Sequence, residues 1–252
     1  MKVLNGLVAF LLVLNLNAQD RDANYINYMT SPQAPKVVGK GDAVEELRTF
    51  NDSFKTVIVG NGIQLAIFSG EDQNMKVVAQ NNILPLVKSE IIQGTLVIRL
   101  AESLETHQGI KVYLPKNQLS TISIQQGGSL AIQEPIEFDK LTLLLASGAF
   151  ADCKINVDSF SCTVMGGSIL NMSGKARTLS SLVVQGGSTL NGENFECLDC
   201  KTIILGASKC KMKVVKSMDA RVENESVFTY IGNPTTIKKS TSLNGQIRQK
   251  SK

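Results

Sequence analysis

The sequence predicts an all-β fold, a single-stranded parallel β-helix forming a right-handed solenoid with rungs of about 20 residues. Two observations carry that expectation. One phrase recurs between 120 and 230: Gln126-Gly127-Gly128-Ser129, Ser147-Gly148-Ala149, Met165-Gly166-Gly167-Ser168, Gln185-Gly186-Gly187-Ser188 and Leu205-Gly206-Ala207-Ser208, with a degenerate copy at Asn224-Glu225-Ser226. The first glycines, Gly127, Gly148, Gly166, Gly186 and Gly206, are spaced by 21, 18, 20 and 20 residues, and a fixed period near twenty marks a stacked array. Between the copies, short β-branched phrases alternate apolar with polar residues, the period-2 pattern of strands.

Taken from the N-terminus, residues 1–18 place one cation, Lys2, before an apolar run that ends at the small Ala18. That is the layout of a secretory signal peptide, so export to the periplasm, the cell surface or the medium is expected. The run is too short for a permanent span, and no later stretch approaches the length a membrane helix needs; the mature chain is expected to have no transmembrane segment. Residues 19–36 are polar, contain Pro32 and Pro35, and read as a linker. The β-helix domain is assigned to 37–247 and a basic, solvated tail to 248–252.

Within the domain, phrases at 55–59, 63–68, 75–79, 95–100 and 110–114 read as strands, with turns at 60–62 and 93–94. They are expected to cap the coil or to supply its first rungs. Residues 44–50 and 83–87 read as helical, the second limited by Pro85. From 119 onward each rung is expected to run strand, corner, strand, strand, and glycine at the corner permits a positive φ at a tight bend. The corner glycines so assigned are Gly127, Gly128, Gly148, Gly166, Gly167, Gly186, Gly187 and Gly206. Stacking then aligns inward columns, Cys162, Leu182, Thr202 and Ala220, and Val164, Val184, Ile204 and Val222. Asn171 and Asn191 share a position and are expected to form an amide ladder, while Cys153 is expected in the column of Asn171. The first two rungs are offset by one, so that a bulge aligns Ile122 and Ile124 with Leu143 and Leu145.

These corners, the phrase FKTVIVGNGIQLAI at 54–67, the strand GTLVI at 94–98 and the closing YIGNP at 230–234 resemble the putative auto-transporter adhesin, head GIN domain family, over 38–247. The resemblance implies an exported bacterial β-helical protein, with adhesion suggested by the family's name and no catalytic residues to carry over.

Bulk composition excludes several classes. Lys and Arg number 26 against 22 acidic residues, with no Trp and 5% aromatics, so no nucleic-acid partner is expected. The five cysteines, Cys153, Cys162, Cys197, Cys200 and Cys210, are odd in number and read as buried small hydrophobes. Cys197 and Cys200 form a single CxxC without the context of a metal or thioredoxin-like site. His107, the one histidine, lies in a polar loop and leaves no Ser-His-Asp triad or zinc set. No cofactor, metal or catalytic residue is expected. Gly-Gly-Ser recurs without the following Lys or helix of a phosphate loop, so its role is structural.

The function expected is therefore a non-enzymatic binding or adhesion module for an envelope glycan or protein, with a homo-oligomer a further expectation from the exposed coil ends. Two alternatives stand beside it. One is a polysaccharide lyase or hydrolase using a carboxylate pair, for which Glu137 and Asp158 are the candidates; the other is a structural spacer or assembly protein.

Overall fold

The computed structural model describes residues 36–70 and 74–250. The expected signal peptide and nearly all of the linker at 19–36 lie outside the described residues, as do positions 251–252 of the tail. The N-terminal part contains β1 (Val37–Val38), β2 (Ala43–Thr49), β3 (Thr56–Val59), β4 (Gln64–Phe68), β5 (Asn74–Gln80), β6 (Val87–Ile92), β7 (Thr95–Leu100), β8 (Leu104–Thr106) and β9 (Lys111–Pro115). The coil follows as β10 (Thr121–Ile124), β11 (Ser129–Leu145), β12 (Phe150–Met165), β13 (Ile169–Gln185), β14 (Thr189–Leu205), β15 (Lys209–Val222), β16 (Val227–Ile231), β17 (Thr236–Thr241) and β18 (Gln246–Lys250). It is a parallel β-solenoid of about six turns. Each long strand bends around the rung and pairs in parallel with the next: β11 with β12, β12 with β13, β13 with β14 and β14 with β15.

The corners hold the register. Each contains two consecutive residues with left-handed backbone: Asn61–Gly62, Gln126–Gly127, Ser147–Gly148, Gly166–Gly167, Gly186–Gly187, Gly206–Ala207, Asn224–Glu225 and Leu243–Asn244. The N–H of the second residue donates to the carbonyl of the first residue one rung on, giving Gly62 to Gln126, Gly127 to Ser147, Gly148 to Gly166, Gly167 to Gly186, Gly187 to Gly206, Ala207 to Asn224 and Glu225 to Leu243, at 2.8–3.1 Å. Gly127 and Gly148 are thus second residues, and the first glycines do not share one column as the spacing suggested. Gly128 lacks the positive φ expected of it. It precedes the strand in the position of Ala149, Ser168, Ser188, Ser208 and Ser226, so the 126–129 phrase is shifted by one against the later copies.

That third position builds a second ladder. The buried Oγ of Ser168 accepts from Ala149 N–H, Ser188 Oγ from Ser168 N–H, Ser208 Oγ from Ser188 N–H and Ser226 Oγ from Ser208 N–H, at 3.1–3.2 Å. A buried amide at a bend, which the strand ladder does not reach, is thereby satisfied by the next rung's side chain.

Inward columns follow the expected alignment. Cys162, Leu182, Thr202 and Ala220 stack, as do Val164, Val184, Ile204 and Val222. All are buried. Ile122 and Ile124 pair with Leu143 and Leu145 without a break; the irregularity falls instead between Ile132 and Ile136, where Pro135 removes a ladder donor. Cys153 pairs with Met172, not with Asn171, whose neighbour is Asp152. Asn191 Nδ2 does donate to Asn171 Oδ1, at 2.9 Å.

Both ends depart from a simple coil. The rung β3–β4 lies between β10–β11 and the rung β7–β9, so stacking order differs from chain order. Beyond it the stack turns antiparallel: β6 pairs with β7 through the left-handed Gln93–Gly94 turn, β5 pairs with β9, and β2 pairs with β5. Residues 44–50, expected as helix, therefore fall largely within strand β2, whose Arg48 guanidinium donates to the Val87 carbonyl at 2.7 Å. An exposed seven-residue strand on an end cap shows no inward stripe to distinguish it from a helix. Of 83–87 only Leu84–Leu86 forms a single 3₁₀ turn. At the other end β17 pairs with β15 and β18 with β16, and residues 248–250, expected as part of a solvated tail, belong to β18, so strand runs across the 247/248 boundary. Their exposed Lys238, Lys239, Arg248 and Lys250 protect an edge that would otherwise template further pairing.

Two substitutions separate the contributions of the corner and the interior. Ser188→Ala leaves the buried Ser168 N–H without its acceptor, and a loss of about 1–3 kcal/mol is expected in urea denaturation. Thr202 Oγ1, among the described residues, is buried without a hydrogen-bond partner, so Thr202→Val is expected to stabilise by about 1 kcal/mol in the same measurement.

Candidate functional site

The solenoid exposes flat faces on which every second residue of a strand points outward. Adjacent rungs lie about 4.8 Å apart, so outward residues form columns in which like charges repel and opposite charges or amides pair. The face just after the corner contains two such columns. One stacks Ser129, Phe150, Ile169, Thr189 and Lys209, and the next stacks Ala131, Asp152, Asn171, Asn191 and Lys211. Phe150 and Ile169 are each 43% exposed and adjacent, an apolar pair on an otherwise polar surface.

Beside them runs a groove of about 400 Å³, lined among others by Asp152, Asn171, Asn191, Glu193, Asn194 and Lys211. The Asn191–Asn171 hydrogen bond links the two amides across adjacent rungs. Glu193 lies 3.4 Å from Lys211 Nζ and 3.3 Å from Lys250 Nζ, and its hydrogen bond to Lys250 lowers its carboxyl below the usual range. The groove is therefore rich in hydrogen-bonding groups, and its charges are largely balanced locally.

The two carboxylates singled out from the sequence lie on the following face. Glu137 and Asp158 line a groove of about 510 Å³ together with Asp139, Asn156, Lys175 and Arg177. Glu137 accepts from Asn156 Nδ2 at 2.7 Å, and Asp158 sits 3.7 Å from Arg177 Nε. The column through Glu137 continues as Asn156, Lys175, Glu196 and Lys213, which alternates sign, and Lys213 reaches Glu196 at 2.7 Å. Both carboxylates are exposed and each has a partner on the adjacent rung. A general acid of a glycosidase needs a desolvated carboxyl, and neither position provides one.

His107 lies in an exposed loop, where its Nδ1 accepts from Gly109 N–H at 3.0 Å. Among the described residues no group of three or more His, Cys, Asp or Glu side chains is placed to hold a metal. The five cysteines are free and buried. Burial raises the thiols of Cys153, Cys162 and Cys210, and the Cys200 thiol is raised by its hydrogen bond to Cys197 and then by burial. Neither the Phe150–Ile169 pair nor the register of Asp152 beside Asn171 was anticipated from the sequence. The signal was present, since placing Asp152 rather than Cys153 in register with Asn171 completes the polar column.

The thiolate is the reactive form of cysteine, so raised pKa values and burial together suppress reaction. Cys153, Cys162, Cys200 and Cys210 are expected to resist Ellman's reagent in the native protein at pH 8 and to react after denaturation; fast native labelling of these four, mapped by mass spectrometry, would contradict the described packing.

A family model described as putative auto-transporter adhesin, head GIN domain, matches residues 53–234. Solved structures share the fold at low identity. A putative adhesin from Bacteroides fragilis superposes with a TM-score of 0.77 at 16% identity, covering 85% of this chain and 100% of that one. A putative adhesin from Parabacteroides merdae gives 0.70 at 13% identity, with 86% and 100% covered. A putative lipid binding protein from Parabacteroides distasonis gives 0.70 at 16% identity, with the same coverage. Among curated proteins, none matches the chain.

Proposed function

The chain belongs to the putative auto-transporter adhesin, head GIN domain family, and from that premise we propose that it is an exported, non-enzymatic binding module of the cell envelope or surface. One observation carries this reading: a groove assembled from four successive rungs, in which Asp152, Asn171, Asn191 and Lys211 project from a rigid wall beside exposed Phe150 and Ile169. Such a surface is preorganised, because each side chain is positioned by a strand hydrogen-bonded on both sides, and binding then orders little that was mobile. Its partner is a polymer or protein of the envelope. The apolar run at 1–18 supports export, and among the described residues no helix is long and apolar enough to cross a membrane.

The groove at Glu137 and Asp158 favours the polysaccharide-cleaving alternative only in gathering four carboxylates, Glu137, Asp139, Asp158 and Glu196, along one lining. Paired and exposed carboxylates serve column stacking, whereas cleavage requires one held protonated and the other ionised.

The reading is tested by immobilising the mature protein and measuring retention of isolated envelope fractions and intact cells, alongside release of reducing or unsaturated sugar ends. Saturable retention without turnover is expected. Turnover abolished by Glu137→Ala or Asp158→Ala would establish the enzymatic alternative, and absence of both retention and turnover, with defined oligomers in light scattering, would favour a spacer.

A further inference from the structure

Resting on the binding-module reading, we infer that the groove beside the Asn171–Asn191 ladder is a site for an extended, uncharged polysaccharide lying along the solenoid axis. Three features of the face select that ligand. The first is the pairing of an apolar column with a polar one. Phe150 and Ile169 present a surface suited to the C–H face of a sugar ring, and Asp152, Asn171 and Asn191, two residues along their strands, present carboxylate and amide groups to its hydroxyls. A planar amide offers both donors and acceptors, and a carboxylate offers two acceptor oxygens, so adjacent hydroxyls can each be satisfied.

The second feature is repetition. Phe150 and Ile169 come from successive rungs, as do Asp152, Asn171, Asn191 and Lys211, with a step of about 4.8 Å along the axis. A ligand that uses the whole column must itself repeat in that direction. An extended sugar chain does so, and its successive residues meet Phe150 with Asp152, Ile169 with Asn171 and Thr189 with Asn191. The hydrogen bond from Asn191 Nδ2 to Asn171 Oδ1, at 2.9 Å, favours the orientation in which the two amides lie along one line.

The third feature is charge. Glu193 is held between Lys211 and Lys250, and Asp152 and Lys211 stand at opposite ends of the polar column with two amides between them. Within the groove lining Asp152 and Glu193 are accompanied by Lys211, so neither sign forms a run there, while Lys209 and Lys250 stand at one end of the face. The strands of this wall are also paired on both sides, which leaves no free backbone edge within the groove for strand addition by a peptide.

The test is affinity electrophoresis and calorimetry of the mature protein against soluble dextran, mannan, laminarin and xyloglucan, with alginate as the polyanion. Binding to at least one neutral polymer is expected, and it should persist in high salt, since it does not depend on ion pairing. Phe150→Ala and the double variant Asn171→Ala/Asn191→Ala should each weaken it by about tenfold or more, in line with the loss of one to two good contacts. Glu137→Gln/Asp158→Asn, on the neighbouring face, should leave it unchanged. All these side chains are wholly or partly exposed, and circular dichroism with urea denaturation verifies that each variant is folded. Neutral-polymer binding that survives Phe150→Ala and the double variant would overturn the site while leaving the module reading intact. Binding to alginate alone, or to an envelope protein and no polysaccharide, would overturn the ligand class. Retention of nothing from the envelope would remove the module reading and this site together.

Discussion

The peptide bond between the two left-handed residues of each corner is the interaction on which the structure depends. Its N–H points to the next rung and its carbonyl to the previous one, so the seven corner bonds form one line along the axis from Gly62 to Leu243. A left-handed pair is unfavourable for most residues, which explains why glycine occupies so many of these positions. The corner positions that lack it hold Asn61, Gln126, Ser147, Ala207, Asn224, Glu225, Leu243 and Asn244, and strong rung-to-rung pairing tolerates them. The serine ladder depends on the same bend: only when the corner is closed does the buried N–H of one rung meet the Oγ of the next. Irregularities gather away from this line, at breaks such as Ile132/Ile136, Leu179/Leu182 and Gly192/Glu196. The other bends thus absorb differences in rung length, and the glycine corner keeps the columns in register.

Much of this was legible because column stacking constrains residues far apart in sequence. Cys162, Leu182, Thr202 and Ala220 could be aligned by eye because a repeat of about twenty residues returns each inward position to the same place. What was lost came from local ambiguity. Counting from the first visible glycine misplaced Gly127 and Gly148 by one, since Gln126 and Ser147 adopt the left-handed conformation without advertising it. The same slip placed Cys153 where Asp152 belongs and hid the full polar column. The sequence of β2 resembles a helix because neither face is buried in the core, and the end of β18 resembles a tail because an edge strand protected by lysines has the composition of a solvated end. The crossed order of β3–β4 and β7–β9 has no sequence signature, since it is a choice among pairings of similar strands.

Column stacking also constrains what the surface can do. A charge on one rung is held at least cost where the rungs above and below are neutral or opposite, as in Glu137, Asn156, Lys175, Glu196 and Lys213, whereas Asp139 lies in register beside Asp158, whose other neighbour is Arg177. Concentrating like charges for acid-base work would oppose the stacking, whereas amides and small apolar groups repeat without penalty. Faces of this kind suit recognition of repeating ligands better than chemistry at one bond.

The crossed N-terminal order has an evolutionary consequence. The rung β3–β4 is enclosed between β7–β9 and the coil, and β2, β5 and β6 close the outside, so this end is one interlocked unit whose strands cannot be duplicated singly. The coil beyond β10 is wound in chain order and ends at the lysine-protected strands β17 and β18. Whole turns can be gained or lost there by tandem duplication or deletion, lengthening or shortening the rod while both terminal units are retained.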